Sequence, residues 1–409
     1  MSSTAYFARW VLLPSGEILE NGGVVVSGNR IASVGSRGRI RRSSQDRIVN
    51  LGPTLLMPGL INMHTHLEQG IIRGMIREEN EAFSAWRAKR DGRLSAIKDE
   101  TIASSVRLAI RESLANGVTT VVDSSNRTIS PDVFKDEPIR SWVIHEVAPL
   151  DSASEESVIE TLHSRITKSE HLQNLGIGPH AFYSLAPDSH RALIRAANAN
   201  GYLWAAHLAE SAEELQAFSE QRGDLYFRIT RRKKWPFGNT ERGVMYTAIT
   251  ENLIPNHALC FHCNYVSGQE LSLLAAKNVT IVVAPRYTEA HGHKPFPLDI
   301  ALARKINLCI GTESPSSFAP LNLFDELFHL KRAHPYIPAQ EMLRWVTVNA
   351  ARALRCSDRL GAVGEGMLAD LVGVRFPHAA HEDLLEELIA AEPEVVFVMV
   401  DGEEVIAGY

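Results

Sequence analysis

The chain has 409 residues, 45% of them hydrophobic and 22% charged, enough for one large domain and a smaller one. Its net charge of −6 gives no electrostatic case for nucleic acid or an anionic membrane, and no stretch reaches the roughly 20 apolar residues that span a bilayer. Met1 to Trp10 lacks a basic start followed by an apolar core, and four cysteines make no disulfide framework, so no signal peptide and a cytoplasmic location are expected.

Residues 1–57 alternate short β-like runs (5–13, 23–26, 30–34) with Gly, Ser and Asn turns. The C-terminal end has the same texture at 371–374, 395–400 and 404–406. Residues 1–57 and 358–409 are therefore expected to form one small β-sandwich built from both termini. In the middle, 58–357, apolar β-branched runs alternate with amphipathic helical stretches. The runs are 60–63, 118–122, 142–147, 176–180, 202–207, 258–262, 279–283 and 306–310. Helices are expected at 99–116, 155–170, 188–200, 212–220 and 267–277, among others. The basic run Arg231-Arg232-Lys233-Lys234 reads as a solvated helix face. Eight β/α repeats predict an α/β fold, a (β/α)8 TIM-type barrel, whose chemistry belongs at the C-terminal strand ends. His64, His66, His180, His207, His262 and Glu313 all fall there.

His64-Thr65-His66 ends the first run, and residues i and i+2 of a strand face the same side. Both imidazoles can then share one ion. His207 would add a third imidazole, and neutral imidazoles suit Zn²⁺, with Fe²⁺ tolerated. Such an ion lowers the pKa of water toward neutrality. Glu210, one short step past His207, fits a carboxyl that carries protons to substrate and leaving group. His262 reads as a ligand or as a group that orients the water, and His180 as a substrate contact. The fourth strand ends without a lysine that could bridge two ions, which favours one metal.

The chain resembles the amidohydrolase superfamily, in its mononuclear deaminase and chlorohydrolase branch. The motifs are Pro58-Gly59-Leu60-Ile61-Asn62-Met63-His64-Thr65-His66, Gly117-Val118-Thr119-Thr120, Pro179-His180-Ala181 and His207-Leu208-Ala209-Glu210-Ser211, with Val348–Leu354 and Gly364–Val372 near the end. Phe83-Ser84-Ala85-Trp86, Pro285-Arg286, Gly292–Leu298 and Leu323–Leu327 are similar to stretches of aminodeoxyfutalosine deaminases. The resemblance implies one divalent metal held by His64, His66, His207 and the carboxylate ending strand eight, here Glu313. It implies that His262 helps activate the water, that Glu210 protonates the ring nitrogen and that His180 contacts the substrate. Trp86 joins the substrate side through its motif, and Arg73 and Arg286 are candidates to pair with a substrate carboxylate.

The chain departs from that pattern in two places. Glu313 stands where the family has aspartate, and Ala284-Pro285-Arg286-Tyr287 departs in the seventh-strand loop, with a bulky Tyr287. The expected activity is metal-dependent hydrolytic deamination of an aminated purine-like ring, of the aminodeoxyfutalosine or adenosine type. The alternatives are amide, amidine or C–Cl hydrolysis of another heterocycle, or a binding protein whose catalysis Glu313 has impaired. The partner is a small-molecule substrate, and the resemblance allows a homodimer.

Overall fold

The computed structural model describes residues 3–408 apart from 76, 80, 148–154, 232–233, 239–242, 318–319, 377–382 and 391–392. Arg232 and Lys233 of the basic run thus lie outside the described residues. All eight expected runs are strands: Leu60–Thr65, Val118–Ser125, Arg140–Val147, Leu175–Pro179, Leu203–Leu208, Leu259–His262, Thr280–Val283 and Asn307–Ile310. They pair in chain order, every ladder parallel. Burial explains why these runs are continuous rather than alternating: all eight residues of Val118–Ser125 are buried, as in a sheet covered on both faces.

The ring closes where the last strand meets the first. Thr65 forms an isolated parallel bridge with Glu313, and Glu313 N donates to His64 O at 3.0 Å. Gly311 makes that approach possible, because a Cβ there would lie 2.6 Å from His64 Cβ and 2.7 Å from His64 N. Closure of the barrel therefore brings the carboxylate of Glu313 beside the first-strand histidines.

Helices occupy the expected amphipathic stretches, at Asp99–Ala115, Glu155–Lys168, Pro187–Asn200, Ala212–Glu220 and Gly268–Ala276. The first of these buries Ile102, Val106, Ala109, Ile110, Ser113 and Leu114, one stripe at helical spacing, against the barrel. A further helix, Phe83–Ser95, begins where the carboxylate of Glu213 accepts from Phe83 N and, at 3.2 Å, from Ser84 N. That anchor satisfies orphan amides of the helix start and fixes the helix to the first turn of the helix Ala212–Glu220.

Both termini contribute to the second sheet. Ser3–Leu12, Ile18–Ser27, Arg30–Ser36, Arg47–Asn50, Thr54–Pro58, Leu371–Arg375, Glu394–Val400 and Glu403–Ala407 form one continuous and mostly antiparallel ladder. Thr54–Pro58 pairs with Leu371–Arg375, so the entry and exit of the barrel segment are hydrogen-bonded side by side.

Behind the C-terminal strand ends, the turn Leu67–Ile72 is tied to the loop after the second strand. The carboxylate of Glu68 accepts from Ser125 Oγ (2.7 Å) and from the backbone of Asn126, Arg127, Ile129 and Ser130. Asp123 accepts from Leu67 N at 2.8 Å and Thr65 Oγ1 at 3.0 Å, which fixes the residues on both sides of His66. Burial and the neighbouring Glu68 push its carboxyl up to about 7.

Candidate metal centre and active site

The ladder between the first two strands is irregular between Asn62 and Thr65. Just past that point His64 stacks on Phe261 of the inner apolar cluster, with ring centroids 3.7 Å apart. His64 Nε2 and His66 Nε2 stand 3.2 and 3.3 Å from His207 Nε2. Two nitrogens bound tetrahedrally to one ion at about 2.0–2.1 Å would be separated by about 3.3 Å. Glu313 Oε1 completes the cluster, 3.4 Å from His66 Nε2 and 3.9 Å from His64 Nε2 and His207 Nε2.

His262 faces the same point, with a ligand atom within 4.8 Å of those of His64, His207 and Glu313. Its φ of 68° lies in the left-handed region. A non-glycine residue held there costs about 1–2 kcal/mol, so the surrounding packing must fix it.

These donors fit a divalent ion. His207 Nδ1 meets the carbonyl oxygen of His180 at 2.5 Å, so it carries the proton and leaves a lone pair on the inward Nε2. Burial lowers the pKa of His64 well below the imidazole range and that of His66 to about 4, which keeps both rings neutral, the form that binds metals. Among the described residues, His64 Nδ1, His66 Nδ1 and both ring nitrogens of His262 are buried without a hydrogen-bond partner. Unsatisfied neutral imidazoles around one carboxylate oxygen make poor internal hydrogen bonding and a good ligand set for one ion.

Glu313 adapts its extra methylene locally. Its φ is 58°, and its Oε2 accepts from the next backbone amide, Ser314 N, which leaves Oε1 turned toward the imidazoles. The longer carboxylate therefore reaches the cluster rather than overshooting it.

Glu210 lies on the other side of His262, its Oε1 3.7 Å from His262 Nε2. Burial opposes ionisation, but His262 and Arg87 outweigh it and hold this carboxyl below the usual range. Asn264 Nδ2 donates to Glu210 O at 3.0 Å, and Glu210 N donates to Glu214 Oε2 at 2.8 Å, so the backbone carrying the carboxylate is held from two sides.

His180 is buried at the mouth and lines a cavity of about 470 Å³ together with His66. Glu146 Oε2 lies 2.5 Å from His180 Nδ1, and its Oε1 lies 3.6 Å from His207 Nδ1. Sequence reasoning missed Glu146, although a signal was there. It shares strand parity with Trp142 and Ile144, both in the inner cluster, so a carboxylate at that position had to face the barrel axis.

Three expected substrate contacts lie elsewhere. Arg73 bonds Glu112 on the helix Asp99–Ala115 through both terminal nitrogens, at 2.9 and 2.5 Å, and 40% of its side chain is exposed. Its fork is already used, because Arg73 follows the turn Leu67–Ile72 on the side facing that helix. Arg286 pairs with Asp325 at 3.1 Å and lies 3.8 Å from Glu326, which joins the seventh-strand loop to the helix Leu323–Ala333. Trp86 is fully buried, donates Nε1–H to Met75 O at 2.9 Å and packs with Phe83, Ala284 and Tyr287, a wall rather than a cavity surface.

Two other arginines line the cavity instead. Arg87 donates to Tyr183 OH, and Arg165 donates to Glu146 O. Arg90 and Arg127, also in the lining, are paired with Asp91 and Asp99. Among the described residues neither Arg87 nor Arg165 has a carboxylate within ion-pair distance, and burial pulls Arg165 below the usual guanidinium range. Both sit on helices, where strand-end reasoning did not look.

The sequence pattern of the Amidohydrolase family matches residues 55–405, which takes in the whole barrel and most of the C-terminal strands. The chain belongs to the amidohydrolase family. It is 26% identical over 395 residues to a 5-methylthioadenosine/S-adenosylhomocysteine deaminase of Pyrococcus furiosus, covering 90% of this chain and 87% of that one. The aminofutalosine deaminase of Helicobacter pylori, solved with methylthio-coformycin, superposes with a TM-score of 0.84 at 23% identity, over 98% of this chain and 100% of that one. An adenosine deaminase from Xanthomonas campestris with bound zinc gives 0.82 at 22% identity, over 99% and 93%.

Proposed function

We propose that this amidohydrolase is a metal-dependent hydrolytic deaminase of adenosine-type nucleosides that carry an anionic group away from the base, and that it works in the cytoplasm. The observation that carries the reading is the pairing of a buried three-histidine, one-carboxylate cluster with a second, ionised carboxylate, Glu210, across His262. The relatives named as deaminases of adenosine derivatives support it.

His64, His66, His207 and Glu313 would hold the ion, and their donor set suits Zn²⁺ first and Fe²⁺ second. The ion supplies Lewis acidity, which makes water acidic enough to act as a nucleophile near neutral pH. Glu210, ionised at rest, takes a proton from that water and delivers it to the ring nitrogen beside the amino-bearing carbon. Glu313 and His262 would orient that water, and its second proton would pass to the amino group, which leaves as ammonia when the C–N bond breaks. His180, held through Nδ1 by Glu146, turns Nε2 to the substrate. The overall change is one water consumed, one ring amine replaced by oxygen and one ammonia released.

Arg87 and Arg165 give the substrate its second handle. Both guanidiniums are half-buried in the cavity lining with no direct ion pair among the described residues, and a substrate carboxylate or phosphate would supply one on binding. Replacing Arg87 by methionine is expected to raise KM about 10–100-fold for a carboxylate-bearing nucleoside such as S-adenosylhomocysteine, the value of one charge-assisted hydrogen bond. KM for adenosine should change far less. Steady-state ammonia release on both substrates checks this, and equal losses on the two would remove Arg87 from anion recognition. The activity itself is tested by ammonia release from adenosine, 5-methylthioadenosine and S-adenosylhomocysteine. Turnover with preference for the carboxylate-bearing S-adenosylhomocysteine is expected, and no ammonia from any of the three would refute the reading.

A further inference from the structure

Tyr287 opens the short helix Pro285–Ala290 after the seventh strand, and only 1% of its surface is exposed. Its ring lies 5.4 Å from His262 and 4.5 Å from His291, and it packs with Phe83, Trp86 and Ala284. Its hydroxyl donates to Glu210 Oε1 at 2.9 Å. That same oxygen is the one 3.7 Å from His262 Nε2. Glu210 Oε2 takes part in no hydrogen bond or ion pair among the described residues, so the two oxygens of this carboxylate are in different situations.

We propose that Tyr287 is a positioning residue that divides the labour of the Glu210 carboxylate. By holding Oε1, it fixes the rotation about the terminal bond of the side chain and presents Oε2 toward the substrate ring. A glutamate carboxylate otherwise turns broadly about that bond. His262 Nε2, at 3.7 Å, is beyond hydrogen-bond distance, so the phenol at 2.9 Å is the contact that sets the plane of the carboxylate. The position of Tyr287 is itself rigid, because Phe83 belongs to the helix anchored by Glu213 and Trp86 is locked by Met75 O. This path of contacts runs from Glu213 on the helix Ala212–Glu220, through the helix Phe83–Ser95, to Tyr287 and back to Glu210.

The inference rests on the deaminase reading for its kinetic consequence, but its structural core can be tested without turnover. Tyr287→Phe keeps the ring and removes only the hydroxyl. With Oε2 misplaced, kcat for ammonia release should fall about 10–100-fold, the range expected for about 1 Å of misalignment at a reacting group. KM and metal content should stay within about twofold, since the phenol touches neither the ion's ligands nor the cavity arginines. A separate double-mutant cycle on unfolding midpoints, with Tyr287→Phe and Glu210→Ala singly and together, reads the contact directly. Non-additive midpoints together with a lowered kcat support the proposal. Additive midpoints, or a Tyr287→Phe enzyme with wild-type kcat, overturn it. Wild-type protein that deaminates nothing overturns the functional reading instead, and the stability cycle still decides whether Tyr287 holds Glu210.

Discussion

Glu210→Gln is expected to lower kcat for ammonia release by about 10²–10⁴-fold, the usual contribution of a positioned proton carrier. The amide keeps the shape of the side chain but accepts no proton from water and passes none to the ring. KM should change little, because the anion contacts of Arg87 and Arg165 and the imidazole of His180 remain. Metal content should also hold, since Glu210 reaches the cluster only through His262, at 3.7 Å. Steady-state kinetics with elemental analysis of the same preparation checks both halves. A Glu210→Gln protein that keeps more than about a tenth of wild-type kcat would remove Glu210 from proton transfer.

Glu313→Asp is the second large effect. Shortening the side chain by one methylene withdraws the carboxylate by about 1.5 Å, one C–C bond length. A shift of that size at a group that both binds the ion and faces the water should cost about 10²-fold or more in kcat. The fold should not suffer, because aspartate tolerates the left-handed backbone at this position (φ 58°) better than glutamate does. The unfolding midpoint is therefore expected to hold or rise while activity falls. Activity that rises in Glu313→Asp would mean that the native glutamate is a lesion in an inherited aspartate site.

The barrel was legible because its strands are buried on both faces, so each appears as an apolar run, and because helices alternate with them at regular intervals. The residues of the candidate site were legible for the same reason: His64, His66, His207, His262 and Glu313 lie at or just past strand ends, and parallel closure brings strand ends together. Glu146 obeyed the same rule and was passed over because it sits inside an apolar run, next to His145 but outside the motifs that marked the other residues. The arginines were a different matter. Which way a helix or turn residue faces depends on how that element packs, and neither spacing nor composition carries this. Arg73 turned to Glu112 and Arg286 to Asp325, while Arg87 and Arg165, with no motif to mark them, turned to the cavity. Tyr287 stood out as a bulky departure from the family, and its contact with Glu210 became visible only when the fifth and seventh strand ends were brought together.

The central claim is that Glu313 completes a working metal site. The most direct test is elemental analysis of the purified wild-type protein, with ammonia release from S-adenosylhomocysteine measured before and after chelation and after Zn²⁺ is restored. A single divalent ion per chain is expected, with activity lost when the ion is removed and recovered when it is restored. A protein that binds no ion when Zn²⁺ is supplied, or whose ammonia release is indifferent to chelation, would contradict it.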